Sequence, residues 1–326
     1  MDGRFRKRLG VFVVIVIVVV LAAACGDDEG PPAGATETPE PTGSPPEGSP
    51  EPNFPVTVTD SNDRRVRFQE PARRIVALSP GPVEMLFAIG AGEGVVGVSE
   101  DTNFPPETAE ITRLSGSEPD ADAIAALDPD LAILPFDPGG VQHSLDQQGI
   151  NSLVFSSPAT LSGIYEQIAV LGLVTNHEGD ATQLVIRLDG RVAPIELALR
   201  DVDQGPRVLH EMGFGSDGVS TVGPGSFVDD VYATLKAENT AADAGAVFPV
   251  LPEEDVIAKD PEVIILTDGP AGVTPNSVKA RAGWEKIAAV KDGRVFSVDP
   301  EILIRPGPRV VDGLEELARI LYPERF

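Results

Sequence analysis

One cysteine, one tryptophan, three histidines and half as many basic as acidic residues mark what this 326-residue chain is short of. A lone cysteine closes no internal disulfide, which excludes a disulfide-stapled scaffold. The same scarcity of Cys and His leaves no material for clustered zinc sites. Phosphate neutralisation needs a surplus of Lys and Arg, and a formal net charge of −26 removes nucleic acid from the partners. Neither a Walker A loop nor a GxSxG elbow is present, so P-loop and serine-hydrolase chemistry lack their starting motifs. His143, His177 and His210 lie far apart without paired spacing and read as isolated surface or structural residues. No catalytic residue and no metal site is expected.

Long apolar runs are equally scarce, and the one present is informative. Val11 to Ala24 is unbroken but spans fourteen residues, about 21 Å as a helix and short for a membrane span. Arg4, Arg6, Lys7 and Arg8 precede it and Ala22, Ala23 and Ala24 close it, the make-up of a secretory signal peptide over residues 1–24. The only cysteine follows at once. Leu21-Ala-Ala-Ala-Cys25 resembles the lipobox of bacterial lipoproteins, which implies lipidation of Cys25 and anchorage on the outer face of the cytoplasmic membrane. An uncleaved N-terminal anchor with an incidental cysteine is the alternative. Residues 25–55 hold nine prolines, seven acids and no base. Such a segment buries too little apolar surface to order itself and is expected to be a disordered tether, reaching at most about 90 Å.

From residue 56 the pattern turns to alternating strands and helices. Hydrophobic residues make up 42% of the chain, enough for sizeable cores. Val56–Thr59 and Arg65–Phe68 read as a hairpin. Arg74–Leu78, Val95–Val98, Leu131–Leu134 and Ser152–Phe155 read as strands. Between them fall helices at Pro82–Ile89, with Ser79 as N-cap, at Ala121–Leu127 and around Val141–Gln148. A second set comprises strands Arg207–Glu211, Glu262–Leu266 and Val295–Val298. Glu253–Ala258 precedes the second of these strands, and helices are expected at Phe227–Leu235, Ser277–Ala289 and Val310–Leu321. Leu161–Leu173 and Glu178–Arg200 form a helical stretch between the sets, and Gly190 and Pro194 are expected to interrupt and kink the second piece. The fold class is therefore α/β, with an N-terminal lobe at 56–158, a connecting helical segment at 159–203 and a C-terminal lobe at 204–326. Gly92-Glu-Gly-Val-Val-Gly97 spells GxGxxG, but it follows a helix and enters a strand, the reverse of a dinucleotide loop.

Several segments carry a resemblance in their order and spacing. They are Arg74 through Gly92 with Val95–Val98, Ala121-Asp-Ala-Ile-Ala-Ala-Leu-Asp-Pro-Asp-Leu-Ala-Ile133, and Val222-Gly-Pro-Gly-Ser-Phe-Val-Asp-Asp230. Asp260–Leu266, Gly283-Trp284, Asp292–Phe296 and Ile304-Arg-Pro-Gly-Pro-Arg309 complete the set. Together they resemble the cobalamin and iron-siderophore substrate-binding proteins of ABC importers, over about residues 55 to 323. The resemblance implies two Rossmann-like lobes joined by one long helix (the class III periplasmic-binding-protein architecture) and little domain closure. It also implies a non-enzymatic monomer with no cofactor, holding cobalamin or a ferric siderophore in an interlobe cleft. Its partner would be an ABC importer permease with a cytoplasmic ATPase. Haem as ligand, or a surface sensor or adhesin without transport, are the alternatives.

Open α/β sheets gather ligands beyond the carboxyl ends of their strands, where helix N-termini point. That selects Ser79, Pro80 and Gly81, Asn103 and Phe104, Phe136, Phe214 and Gly215, and Arg305 as ligand-binding candidates. Trp284 joins them as a flat surface for a ligand, with a core position as the alternative. Arg305 is open to a ligand bond or a surface salt bridge, and Ser226 with Asp229 to a capping box or a ligand contact. The resemblance places permease-docking acids at Glu84 and Asp230. If Cys25 carries the lipid, labelled palmitate will enter the native chain and Cys25→Ala will be unlabelled and shed from membranes. A variant that stays membrane-bound favours the uncleaved anchor.

Overall fold

The computed structural model describes residues 54–326, so the expected signal peptide, the lipidation site Cys25 and the tether up to residue 53 lie outside them. Val56–Thr59 and Arg65–Phe68 pair antiparallel as expected. Asp60 builds their turn, its Oδ1 accepting the N–H groups of Asn62 and Arg64 at 2.9 and 3.0 Å. Its Oδ2 accepts Gln142 Nε2 at 2.9 Å and the Val154 N–H at 3.2 Å, which ties the hairpin to the first sheet. Burial pushes this carboxyl up, but those bonds outweigh it and hold the group below its ordinary value.

The first sheet is five-stranded and parallel, in the order Thr112–Leu114, Val95–Ser99, Ile75–Ala77, Leu131–Leu134, Asn151–Val154. Its central strands are apolar and buried on both faces, as parallel strands between helix layers must be. Thr112–Leu114 escapes sequence reading because it is a three-residue edge strand with two exposed side chains. The second sheet is mixed. Glu238–Asn239, Arg207–Gly215, Val263–Leu266 and Val295–Ser297 run parallel, while Gly218–Thr221 and Val250–Leu251 are antiparallel additions at one edge. The strand expected to end at Glu211 continues to Gly215 and turns back through Ser216-Asp217.

Two other expectations are corrected. Ser277–Ala289 is not one helix but Pro275–Lys279, a 3₁₀ turn at Trp284–Lys286 and Ala288–Lys291. Gly283 at φ +86° leaves the helical region and turns Trp284 into the core. Glu178–Ala198, by contrast, is continuous through Gly190 and Pro194. Proline removes the bond to the carbonyl four residues back, here Gly190, and both residues are exposed, so water satisfies that oxygen. The buried row Ala181, Leu184, Leu188, Val192 and Ile195 keeps one face of this helix on the core.

One apolar cluster runs through both lobes. It contains Met85 and Leu86 of the first helix, Ile164 and Ile168 of Leu161–Thr175, and Val231, Leu314 and Leu317 of the second lobe. Smaller clusters fill the far face of each sheet. Helix Val310–Leu321 buries Val310, Val311, Leu314, Leu317 and Leu321, each worth about 1.5–3 kcal/mol. Within this shared core lies an ion pair. Glu84, expected as an exposed docking acid, is 3% exposed. Its carboxylate accepts Arg309 Nε at 3.0 Å and Nη2 at 2.6 Å from the other lobe. Burial raises the Glu84 pKa, and Arg309 offsets that only in part. The expected docking role for Glu84 is therefore replaced by a bond between the lobes.

Removing one partner from a buried ion pair strands the other. Arg309→Met is expected to lose about 3–5 kcal/mol in urea unfolding, and Glu84→Met/Arg309→Met to recover most of it. A single-variant loss below about 1 kcal/mol would show that the pair does not hold the lobes.

Candidate functional site

Four strands of the first sheet end on one side of the molecule. Ser79 lies just beyond Ile75–Ala77, Glu100 just beyond Val95–Ser99, Phe136 just beyond Leu131–Leu134 and Phe155 just beyond Asn151–Val154. Two adjoining cavities of about 360 and 380 Å³ open there and share Ser79, Pro80, Asp101 and Pro135. Glu301, Ile304, Arg305 and Pro306 wall the first from the second lobe, so the cavity lies between lobes. Gly81 is required by this contact: a Cβ there would stand 2.6 Å from the Pro306 carbonyl oxygen. A third cavity of about 340 Å³ continues past Phe155 and Gln167 toward the hairpin.

The structure brings Ser79, Pro80, Gly81, Phe136 and Arg305 to these walls. Ser79 occupies the N-cap position but makes no side-chain capping bond, which leaves its hydroxyl without that role. Arg305 is not a free guanidinium. It pairs with Glu301 at 2.6 Å, donates to Asn103 Oδ1 at 2.7 Å and donates to the Asp101 carbonyl at 3.0 Å. Asn103 is thereby a partner of Arg305 across the lobes, and Phe104 lies 4.0 Å from the Arg309 guanidinium. These two residues brace the lobe contact.

Phe214, 40% exposed, ends the long second-lobe strand, with Gly215 exposed beside it. Arg281 lies 3.8 Å from the Phe214 ring centre and 4.5 Å from that of Trp284. Glu211 holds this guanidinium with two bonds of 2.6 and 2.5 Å. Trp284 corrects the ligand expectation: it is fully buried, donates Nε1–H to Glu253 at 2.9 Å and meets Phe214 edge-on at 6.1 Å. It supports Phe214 from within the core. Asp230 is also engaged, accepting the Leu161 N–H at the start of the connecting helices at 2.9 Å. Its carboxylate therefore has an internal partner. Ser226 accepts the Asp229 N–H at 3.1 Å, while the Asp229 carboxylate accepts Asn239 Nδ2 at 2.8 Å. The cap is real and the reciprocal box is not.

Sequence reading missed Glu211, Arg281 and Asp268. Each lies in a segment that looks ordinary, and only the strand ends bring them together. Both Asp268 oxygens are buried without a donor, and burial together with the Glu211 charge pushes this carboxyl up to about 6. His210, buried between the Tyr232 hydroxyl at 2.8 Å and Thr267 Oγ1 at 3.1 Å, is held neutral by burial, its pKa lowered to about 3. Among the described residues no group of three Cys, His, Asp or Glu side chains is placed to hold a metal ion. Nor is any helix there long and apolar enough to cross a membrane.

The model of the family described as "Periplasmic binding protein" matches residues 75–302. The chain is 29% identical over 279 residues to YvrC of Bacillus subtilis, described as an uncharacterized ABC transporter substrate-binding lipoprotein. That match covers 84% of this chain and 87% of YvrC. A cobalamin-binding protein of Halobacterium salinarum is 27% identical, with 83% of this chain and 75% of the relative covered. Among solved structures, the periplasmic heme-binding protein RhuT of Roseiflexus superposes with a TM-score of 0.69 at 26% identity. Coverage is 78% of this chain and all of that one.

Asp268 has a higher pKa folded than unfolded, so its proton stabilises the fold and that contribution is lost as pH rises from about 4 through about 6. Asp268→Asn removes the loss. The variant is expected to gain about 1–2 kcal/mol over the native chain between pH 4 and 7, measured by urea unfolding. A pH-independent difference would place the Asp268 proton elsewhere.

Proposed function

The chain belongs to the periplasmic binding protein family, and on that premise we propose that it captures a coordinatively complete metal chelate, a corrinoid or a ferric siderophore, and delivers it to an ABC importer permease. The carrying observation is the interlobe cleft, which offers an aromatic face at Phe136 and a hydroxyl at Ser79. Binding and release suffice, and no reaction is involved. Lipidated Cys25 would hold the monomer on the outer face of the cytoplasmic membrane, and the permease's cytoplasmic ATPase would drive uptake.

The side chains that usually supply axial iron ligands have other places in this fold. His143 is exposed and bonded to Gln147, His177 faces Gly90, and His210 is buried. Tyr232 is buried against His210, Tyr322 donates to the Leu235 carbonyl, and the Tyr165 hydroxyl is buried on the side of Asp189 and Glu196. A haem iron entering this cleft would meet neither imidazole nor phenol, whereas a corrinoid or hydroxamate brings its metal fully ligated. This favours the coordinatively complete chelates over the haem alternative. A sensor or adhesin would use the same cleft without a permease.

Calorimetric titration of the full chain is expected to detect cyanocobalamin or a ferric hydroxamate binding. Phe136→Ala is expected to weaken that binding about tenfold, the worth of one aromatic contact. Binding of haemin alone, or of none of the three, overturns the reading.

A further inference from the structure

The three cavities form one trough. The middle chamber shares Ser79 and Asp101 with one neighbour, and Phe155 and Gln167 with the other. Its charge is one-sided. Among the described residues, Glu100, Asp101, Glu301, Asp60 and Glu166 line it, against the single guanidinium of Arg305. Arg305 is matched by Glu301 at 2.6 Å. On the second lobe, Arg281 is likewise matched by Glu211. Among the described residues, the one cation that lines the cavities thus already has its carboxylate, while Glu100, Asp101 and Glu166 are exposed and add negative charge. Asp60 is bonded by donors that favour its ionised form. A concave wall of one sign focuses its field on whatever enters.

We propose that the trough selects its chelate by net charge. It admits neutral or cationic chelates, such as an amide-rimmed corrinoid or a ferric trihydroxamate. It rejects anionic ones, such as a dicarboxylate porphyrin or a ferric tris-catecholate. Discrimination arises because an anionic ligand brings like charge against carboxylates that no protein cation relieves. This inference rests on the preceding reading that the cleft takes a metal chelate, and it adds the rule by which chelates are sorted.

The test uses ligand pairs matched in shape and differing in charge. Ferrioxamine B is compared with its N-succinyl derivative, and cyanocobalamin with its monocarboxylic acid. Full-length protein is titrated with each at low salt and again at 0.5 M NaCl. The anionic member of the binding pair is expected to be about tenfold weaker at low salt, with the gap narrowing at high salt. In Glu100→Gln/Asp101→Asn/Glu166→Gln, checked for native unfolding behaviour, the gap is expected to close. Equal affinity of the two members for the native chain overturns the charge rule while leaving the chelate reading in place. A gap unchanged in the triple variant overturns the assignment to these carboxylates. Failure of both members of both pairs to bind overturns the chelate reading, and the charge rule with it.

Discussion

The Glu84–Arg309 pair is the interaction on which the cleft depends. It joins the first helix after the opening strand to the residue that caps the last helix, 225 positions away, inside the apolar core that both lobes share. An ion pair so placed is an unsafe source of net stability, because desolvating two charges cancels much of their attraction. Its consequence is geometric. Two parallel bonds to a planar guanidinium fix distance and angle together, and Arg305 adds two more bonds four residues earlier. The segment 304–309 leaves the second lobe and is fastened to the first. The cavity wall it forms is therefore set before any ligand arrives.

The continuous core has the same effect at larger scale. A hinge between lobes would have to separate Met85 and Leu86 from Ile164 and Ile168, and these from Val231 and Leu317, exposing fully buried apolar surface. Two connecting helices packed against each other stiffen the join further than extended crossovers would. A site of this kind recognises by preformed shape and electrostatics rather than by closing.

On the second lobe the same logic works in a stack. Glu211 holds Arg281, and Arg281 lies against both Phe214 and the buried Trp284. An exposed phenyl ring is thereby given a fixed position at little entropic cost, which favours binding through a flat apolar face. The acidity extends through both lobes. A large net charge of one sign favours solubility.

Much of this was legible in order. Alternating short apolar runs and amphipathic stretches located the hairpin, most strands of the first sheet and the last helix, because those patterns are local consequences of burial period. The errors also have local causes. Gly213 and Gly215 hid the length of a strand, Gly283 broke an expected helix, and solvent let a helix run through Pro194. The side-chain roles were less accessible. Resemblance assigns Glu84 and Asp230 to docking and Arg305 is open to a ligand bond or a salt bridge, and each has an internal partner. Trp284 looked like a ligand surface and is core. The sequence by itself determined the class of fold and the sign of the charge, since these follow from periodicity and composition. Only the tertiary structure decided which acids are paired, which aromatic faces the cleft and which cations remain for a ligand. The Glu211–Arg281 and Glu84–Arg309 pairs join residues 70 and 225 positions apart, and no local pattern encodes them.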